Sequence, residues 1–413
     1  MDINHKQSLK DFRLVVIAQI TSVFGSSLLR FALSLYVLDL TGSEVLFATL
    51  LAVSNAPLIL APLGGAIADR FSRKNLMVIF DFASGVIIIF LYFALLAVPS
   101  SVVFISIAMV LLSVINAMYT PTVTASIPSL VSESKLESAN GIVQAVQPLS
   151  MAAAPFVGAV LYGAWDIKYL IIASCAMFFI SAAVELFIKI PFSEREQSGH
   201  IITTIAKDMK DGFAYVFKQP FIMKSMIIAA LLNLLLTPYI IVGAPIIFRV
   251  TMGASEIFFG VGMGVINLAA ILGAIMIGVF AKKLRMSTAY RLVLVIALLI
   301  LPMALSVTPL LLGLGFYPSY LLFILSTMPI AAILTILSIF VITAIQKKTS
   351  NENLGKVMAI ITAVAQCVAP IGQIMYGVLF QGFSQAVFIP TLFASAVMFA
   401  MAFMAQRLFK NEI

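Results

Sequence analysis

Gly64-Gly65-Ala-Ile-Ala-Asp69-Arg70-Phe-Ser72-Arg73-Lys74 closes one long apolar run, Val45–Ala68, and precedes another, Leu76–Val98. Each run is long enough to cross a bilayer, because ~20 apolar residues rising ~1.5 Å apiece span a hydrocarbon core of ~30 Å. Three cations (Arg70, Arg73, Lys74) and one anion (Asp69) are therefore confined to a hairpin too short to fold as a domain. The rest of the chain has the same character: of 413 residues, 62% are apolar and 10% charged, with mean hydropathy +1.13. Soluble chains of this length carry far more charge, so the bilayer is the solvent. Backbone groups must then be satisfied inside helices or a closed barrel. Continuous runs of this length, rather than short alternating segments, select helices.

The expected fold is an all-α membrane protein of twelve transmembrane helices, at 12–38, 45–69, 75–98, 101–125, 140–163, 167–190, 221–248, 254–281, 287–312, 318–346, 354–380 and 385–407. The first run is too long for a signal-peptide core and lacks a small-residue cleavage site, so it reads as an uncleaved span. Cys175 and Cys367 both fall in apolar runs and read as small core residues rather than a disulfide. With the N-terminus inside, all but three (Arg30, Lys168, Arg249) of the 25 Lys and Arg lie in or beside the inner segments. The positive-inside rule then places both termini of this multi-pass protein in the cytoplasm. The net charge of +8 is thus a topology signal, with some attraction to anionic membrane lipids, and not a sign of nucleic-acid binding.

The longest polar stretch divides the chain into a six-helix half at 1–190, a linker at 191–220 and a second six-helix half at 221–413. In the linker, Ile201, Ile205, Met209, Phe213 and Phe217 recur every four residues, which predicts an amphipathic helix at the inner surface. A weak internal repeat supports the two halves. Leu136–Val146 parallels Leu354–Val364, and Ala154-Pro155 with Gly158 and Tyr162-Gly163 parallels Ala369-Pro370 with Gly372 and Tyr376-Gly377. In the corresponding second hairpin, Gly278 and the cations remain, but Lys282 stands where an aspartate would be.

In register, Gly65, Asp69, Arg70, Arg73 and Lys74 resemble the G-x-x-x-D-R-x-G-R-K signature of the major facilitator superfamily, with Ser72 in place of its second glycine. The resemblance implies two six-helix halves around a central cavity. It also implies that Asp69 faces the positive N-terminus of span eleven, near Leu354, and holds the cytoplasmic side closed. Gly64 and Gly65 would let a neighbouring helix approach closely. Asp81, inside span three, reads either as a member of the same charge cluster, reached by Arg70, Arg73 or Lys74, or as a proton carrier.

Tyr119-Thr120-Pro121 through Pro128, Leu130-Val131, Glu133 and Leu136 resembles the drug:proton antiporter branch of that superfamily, typified by bacterial macrolide efflux proteins. So do Asp39-Leu-Thr-Gly-Ser43 and Met209-Lys-Asp-Gly212-Phe-Ala-Tyr-Val. Gln147, Pro155, Gly158 and Gly163 are similar to a reduced form of the antiporter glycine–proline motif. The branch implies efflux of small amphipathic molecules, proton coupling, and a monomer without cofactor or metal.

Other polar residues inside the spans are cavity or coupling candidates. Arg30 sits in the outer half of span one and either snorkels or lines a water-filled cavity. Asp39, nine residues on, lies ~13 Å along a helix and is not a direct partner. Glu185 reads as a helical ion pair with Lys189. Superfamily architecture puts Asn116, Tyr119, Asn233 and Tyr239 on cavity-lining helices, at even odds with packing. The 32 Phe and 20 Met suit a soft apolar cavity. The expected function is secondary active export of amphipathic, hydrophobic small molecules by alternating access and proton antiport. The rivals are export or flipping of an endogenous siderophore, peptide or lipid, and, in another class, a membrane sensor or enzyme. With His5 and His200 outside the spans and no phosphate-binding loop, an enzyme is the poorest fit.

Overall fold

The computed structural model describes residues 2–68, 70–132, 135–164, 166–190, 201–280 and 284–410. Among them there are helices and no strands. The helices are α1 (Asp2–Thr41), α2 (Glu44–Asn55), α3 (Ala61–Ala68), α4 (Arg73–Ala97), α5 (Val102–Ser126), α6 (Leu136–Ala164), α7 (Ile167–Leu186) and α8 (Ile201–Lys218). They continue as α9 (Pro220–Pro238), α10 (Ala244–Ile246), α11 (Glu256–Phe280), α12 (Met286–Ser306), α13 (Pro309–Gly313), α14 (Phe316–Lys348), α15 (Asn351–Gly382) and α16 (Phe388–Phe409). Eleven helical segments are long and apolar enough to cross a membrane, and Glu44–Leu60 is a shorter apolar segment. With that segment continued by α3, the chain is the expected twelve-helix all-α membrane protein.

Proline explains where the spans depart from straight rods. Span two is not continuous: Pro57 opens a 3-10 segment, Ala56–Leu60, between α2 and α3, and Pro62 follows. A proline lacks the N–H that the preceding turn needs and crowds that turn. Span seven widens into π turns at Tyr239–Gly243 and Ile247–Thr251, beside Pro238 and Pro245. Span nine stops at Ser306, short of the expected 312, and Pro309 starts the separate α13. The first helix begins well before residue 12, at Asp2. Ser72, which replaces the signature glycine, sits at φ −58°, a conformation open to any residue, and accepts from the Asn75 amide as the N-cap of α4.

Two compact units form, Met1–Leu40 with Val53–Lys207, and Thr41–Ala52 with Asp208–Ile413. In the first, α4 packs on α7 and α5, and α3 packs on α5. The buried stripe of α4 (Met77, Asp81, Ser84, Ile88, Leu91, Leu95) follows the helical repeat. In the second, α12 packs on α16 and α14, α11 on α14, and α9 on α15. There the start of α2 is tied to α15: Gln381 Oε1 accepts from the Val45 amide at 3.1 Å and from the Ser43 hydroxyl at 3.3 Å. That amide is one of the donors every helix leaves unpaired at its start. Cys175 is half-buried, whereas Cys367, expected in the core, is exposed.

Candidate functional site

The hairpin comes first because its residues are local. A Cβ on Gly64 would stand 2.7 Å from Met118 Cα, so α3 and α5 approach closely only because that side chain is missing. Gly65, expected to do the same, faces open space. Arg73 donates through Nε to the Ala68 carbonyl and through a guanidinium nitrogen to Ser129 Oγ, both at 3.2 Å. Lys74 Nζ donates to the Leu186 carbonyl at 2.6 Å. Both cations thus cover carbonyls at helix ends, of α3 and α7, where the helix dipole is negative. The Arg70 amide closes α3 on the Ile67 carbonyl at 3.0 Å. Asp69, on which the gating expectation rests, lies outside the described residues, as do Glu133, Lys282 and Lys283.

Asp81 does not join the hairpin cations. It points into the first unit, 1% exposed, and Oδ1 accepts from the Ser22 hydroxyl of α1 at 2.7 Å. Glu185 does not pair with Lys189. It is 0% exposed, and Oε1 accepts from the Tyr119 hydroxyl of α5 at 3.0 Å. The lysine extends past the end of α7 instead, and its amide donates to Asp11 Oδ1 at 3.3 Å. The expectation that Tyr119 faces a cavity gives way to the same fact: its ring belongs to an apolar core with Phe12, Val15, Met77 and Val123. Burial leaves a phenol hydroxyl in need of an acceptor, and Glu185 supplies it.

Arg30 on α1 donates to Asn55 Oδ1, at the end of α2, at 2.6 Å. A neutral amide leaves the guanidinium charge uncompensated, and among the described residues no carboxylate pairs with it. Asp39 is exposed near the C-terminal end of α1. Gly158 of α6 packs beside this region: a Cβ there would stand 2.7 Å from Phe31 Cδ1 and 3.2 Å from Leu28 Cδ1. Pro155 lies one turn earlier within the same helix. Arg30 and the antiporter-like motif are thus neighbours across α1 and α6.

The remaining candidates are dispersed. Asn116 and Gln147 are half-buried on α5 and α6. Asn233 Nδ2 donates to its own helix, at the Ala229 carbonyl, 3.0 Å away. Tyr239, expected at the cavity, is 1% exposed inside the second unit; its hydroxyl meets Thr391 Oγ1 at 2.9 Å, and its ring packs edge-on against Tyr376 at 5.4 Å. Sequence reasoning missed Asn55, Ser22, Ser181 and Thr391. The available signal was the rule that an ionic or polar group within a span needs a partner, which says that one exists but not where. Among the described residues no group of three His, Cys, Asp or Glu is placed to hold a metal.

Residues 15–372 match the family model of the Major Facilitator Superfamily. Macrolide efflux protein A of Streptococcus pyogenes is 23% identical over 382 residues, 88% of either chain. The protein of the same name from Enterococcus faecalis is 23% identical over 331 residues, 76% of this chain and 94% of its own. Among solved structures, that of the nucleoside transporter NupG superposes with TM-score 0.76 at 15% identity, covering 97% of this chain and 99% of its own. At that identity the likeness concerns the fold alone.

Proposed function

The chain belongs to the major facilitator superfamily, and on that premise we propose that it is a proton-coupled exporter of amphipathic, largely apolar small molecules. It is a multi-pass membrane transporter; export, the substrate class, proton coupling, a monomeric state and a bacterial inner-membrane location with cytoplasmic termini are our reading. The observation that carries export is the alignment with two macrolide efflux proteins over 88% and 76% of the chain. In an alternating-access cycle, substrate and proton must each bind the inward-open and outward-open states with different affinity, since a ligand that binds both equally shifts nothing. Arg30 is suited to hold a polar or anionic group of the substrate, because among the described residues its side chain is met by an amide and by no carboxylate. Asp69 keeps the closing role that the family signature implies.

Vesicles containing the purified protein test the reading. A macrolide should accumulate against its gradient when a pH gradient is imposed. Collapsing that gradient should abolish accumulation, whereas removing sodium should not. Accumulation that persists without pH gradient or membrane potential would overturn the coupling. Failure to move any member of an amphipathic panel would overturn the substrate class.

A further inference from the structure

Asp81 of α4 and Glu185 of α7 lie on helices that pack against each other in the first unit, and Ser181 stands one turn before Glu185 on α7. The Ser181 hydroxyl donates to the Ala18 carbonyl at 2.8 Å. Two acid–hydroxyl pairs, Ser22–Asp81 at 2.7 Å and Tyr119–Glu185 at 3.0 Å, are therefore buried among α1, α4, α5 and α7. Asp81 Oδ2 and Glu185 Oε2 are fully buried and have no hydrogen-bond partner among the described residues.

Among the described residues, none of the basic side chains around these acids pairs with either of them. On α4, Arg73 covers Ala68 and Ser129, and Lys74 covers Leu186. Beyond α7, Lys189 stands with its amide on Asp11 of α1, and Arg13 of α1 is exposed. Neither acid forms an ion pair with Lys or Arg among the described residues. Two ionised carboxylates in one apolar interior, without a cation, carry a large desolvation cost and repel each other. They are also acceptors only, so two of their oxygens stay idle while both are ionised. One proton removes a charge and supplies the missing O–H donor.

We propose that Asp81 and Glu185 together form the proton-binding site of this transporter, the pair taking up one proton, with Ser22 and Tyr119 as the hydroxyls bonded to the two acids. The proposal rests on the proton-coupled reading above. The step is a simple exchange: water on one side of the membrane delivers H⁺ to a carboxylate oxygen, and the carboxyl returns H⁺ to water on the other side. Because the site spans α1, α4, α5 and α7, each proton changes by one the charge carried in the packing of these four helices.

Infrared difference spectroscopy on the purified protein, titrated with pH, reads a protonated carboxyl directly through its C=O stretch. Wild type should show such a band. Asp81→Asn and Glu185→Gln should each diminish or shift it, and the double variant should lack it. Ser22→Ala and Tyr119→Phe, which keep both acids and remove one donor, should move the band without abolishing it, so a misfolded acid variant does not leave the site undecided. In vesicles, the acid variants should keep substrate counterflow, which needs no net proton movement, and lose gradient-driven accumulation. A full band or full accumulation in the double variant would overturn the site, as would a band that responds to sodium rather than pH. Accumulation by the wild type that ignores the proton gradient would instead overturn the coupling reading, and the band alone would then decide where the proton resides.

Discussion

A single methyl group distinguishes the two glycines of the hairpin. At Gly64 a Cβ meets the backbone of Met118, which cannot give way, and at Gly65 it meets nothing. Gly64→Ala should therefore lower the melting temperature of the purified protein, since overpacking costs ~1–3 kcal/mol. Gly65→Ala should leave it unchanged, and equal melting of the two variants would contradict the close packing of α3 on α5. Arg30 is the other residue whose role turns on one contact. Arg30→Lys keeps the charge but loses the planar fork, while Arg30→Gln loses both. Lys should retain part of the transport and Gln should lose it, with weaker substrate binding and an unshifted pH profile. Wild-type transport by both variants would leave Arg30 as a structural tie to Asn55. At this scale the sequence showed which residues were anomalous but not their partners: Asn55 lies 25 residues from Arg30, and Tyr119 lies 66 from Glu185. Nothing in the local pattern links such positions.

Among the elements, the linker helix shows most clearly how pattern and packing divide the information. Its four-residue apolar repeat predicted a helix, and α8 is one. The pattern did not show that its second half docks on the start of α15. There Gly212 lies so close to Ile360 that a Cβ would stand 2.6 Å from its Cδ1, and Val216 is 0% exposed. Asp211 pairs with Lys356 at 3.5 Å, and the Tyr215 hydroxyl accepts from the Ser350 amide at 3.5 Å. The ion pair is half-exposed and worth ~0–1 kcal/mol, so the apolar contact decides the docking. Gly212→Leu should speed amide hydrogen exchange across residues 350–360, whereas Lys356→Ala should change it little. Unaltered exchange in Gly212→Leu would mean that α8 does not restrain α15. Span two teaches the converse: its prolines were in plain view, yet the uninterrupted apolar run concealed the break they cause at Ala56–Leu60.

For the whole molecule, the charge distribution makes a prediction that depends on no single contact. Tags at either terminus or in the 191–220 linker should be reachable only from the cytoplasm, because the inner segments hold all but three of the 25 cations. Labelling of either terminus from outside intact cells would reject the twelve-span topology.

From the sequence alone follow the solvent, the helical class, the span count and the family hairpin, and with them the expected orientation. All of these depend on quantities that add up along the chain: apolar length against bilayer thickness, backbone groups satisfied within each helix, and cations counted loop by loop. The environment of each polar residue was decided by tertiary structure. Asp81 turned from the hairpin cations to Ser22, Glu185 from Lys189 to Tyr119, and Tyr239 from a cavity to Thr391. Those choices depend on which faces of distant helices are pressed together, and in a chain that is apolar on every face the hydrophobic pattern does not specify that. Only the packed helices bring Ser22 to Asp81 and Tyr119 to Glu185, pairs 59 and 66 residues apart in the chain.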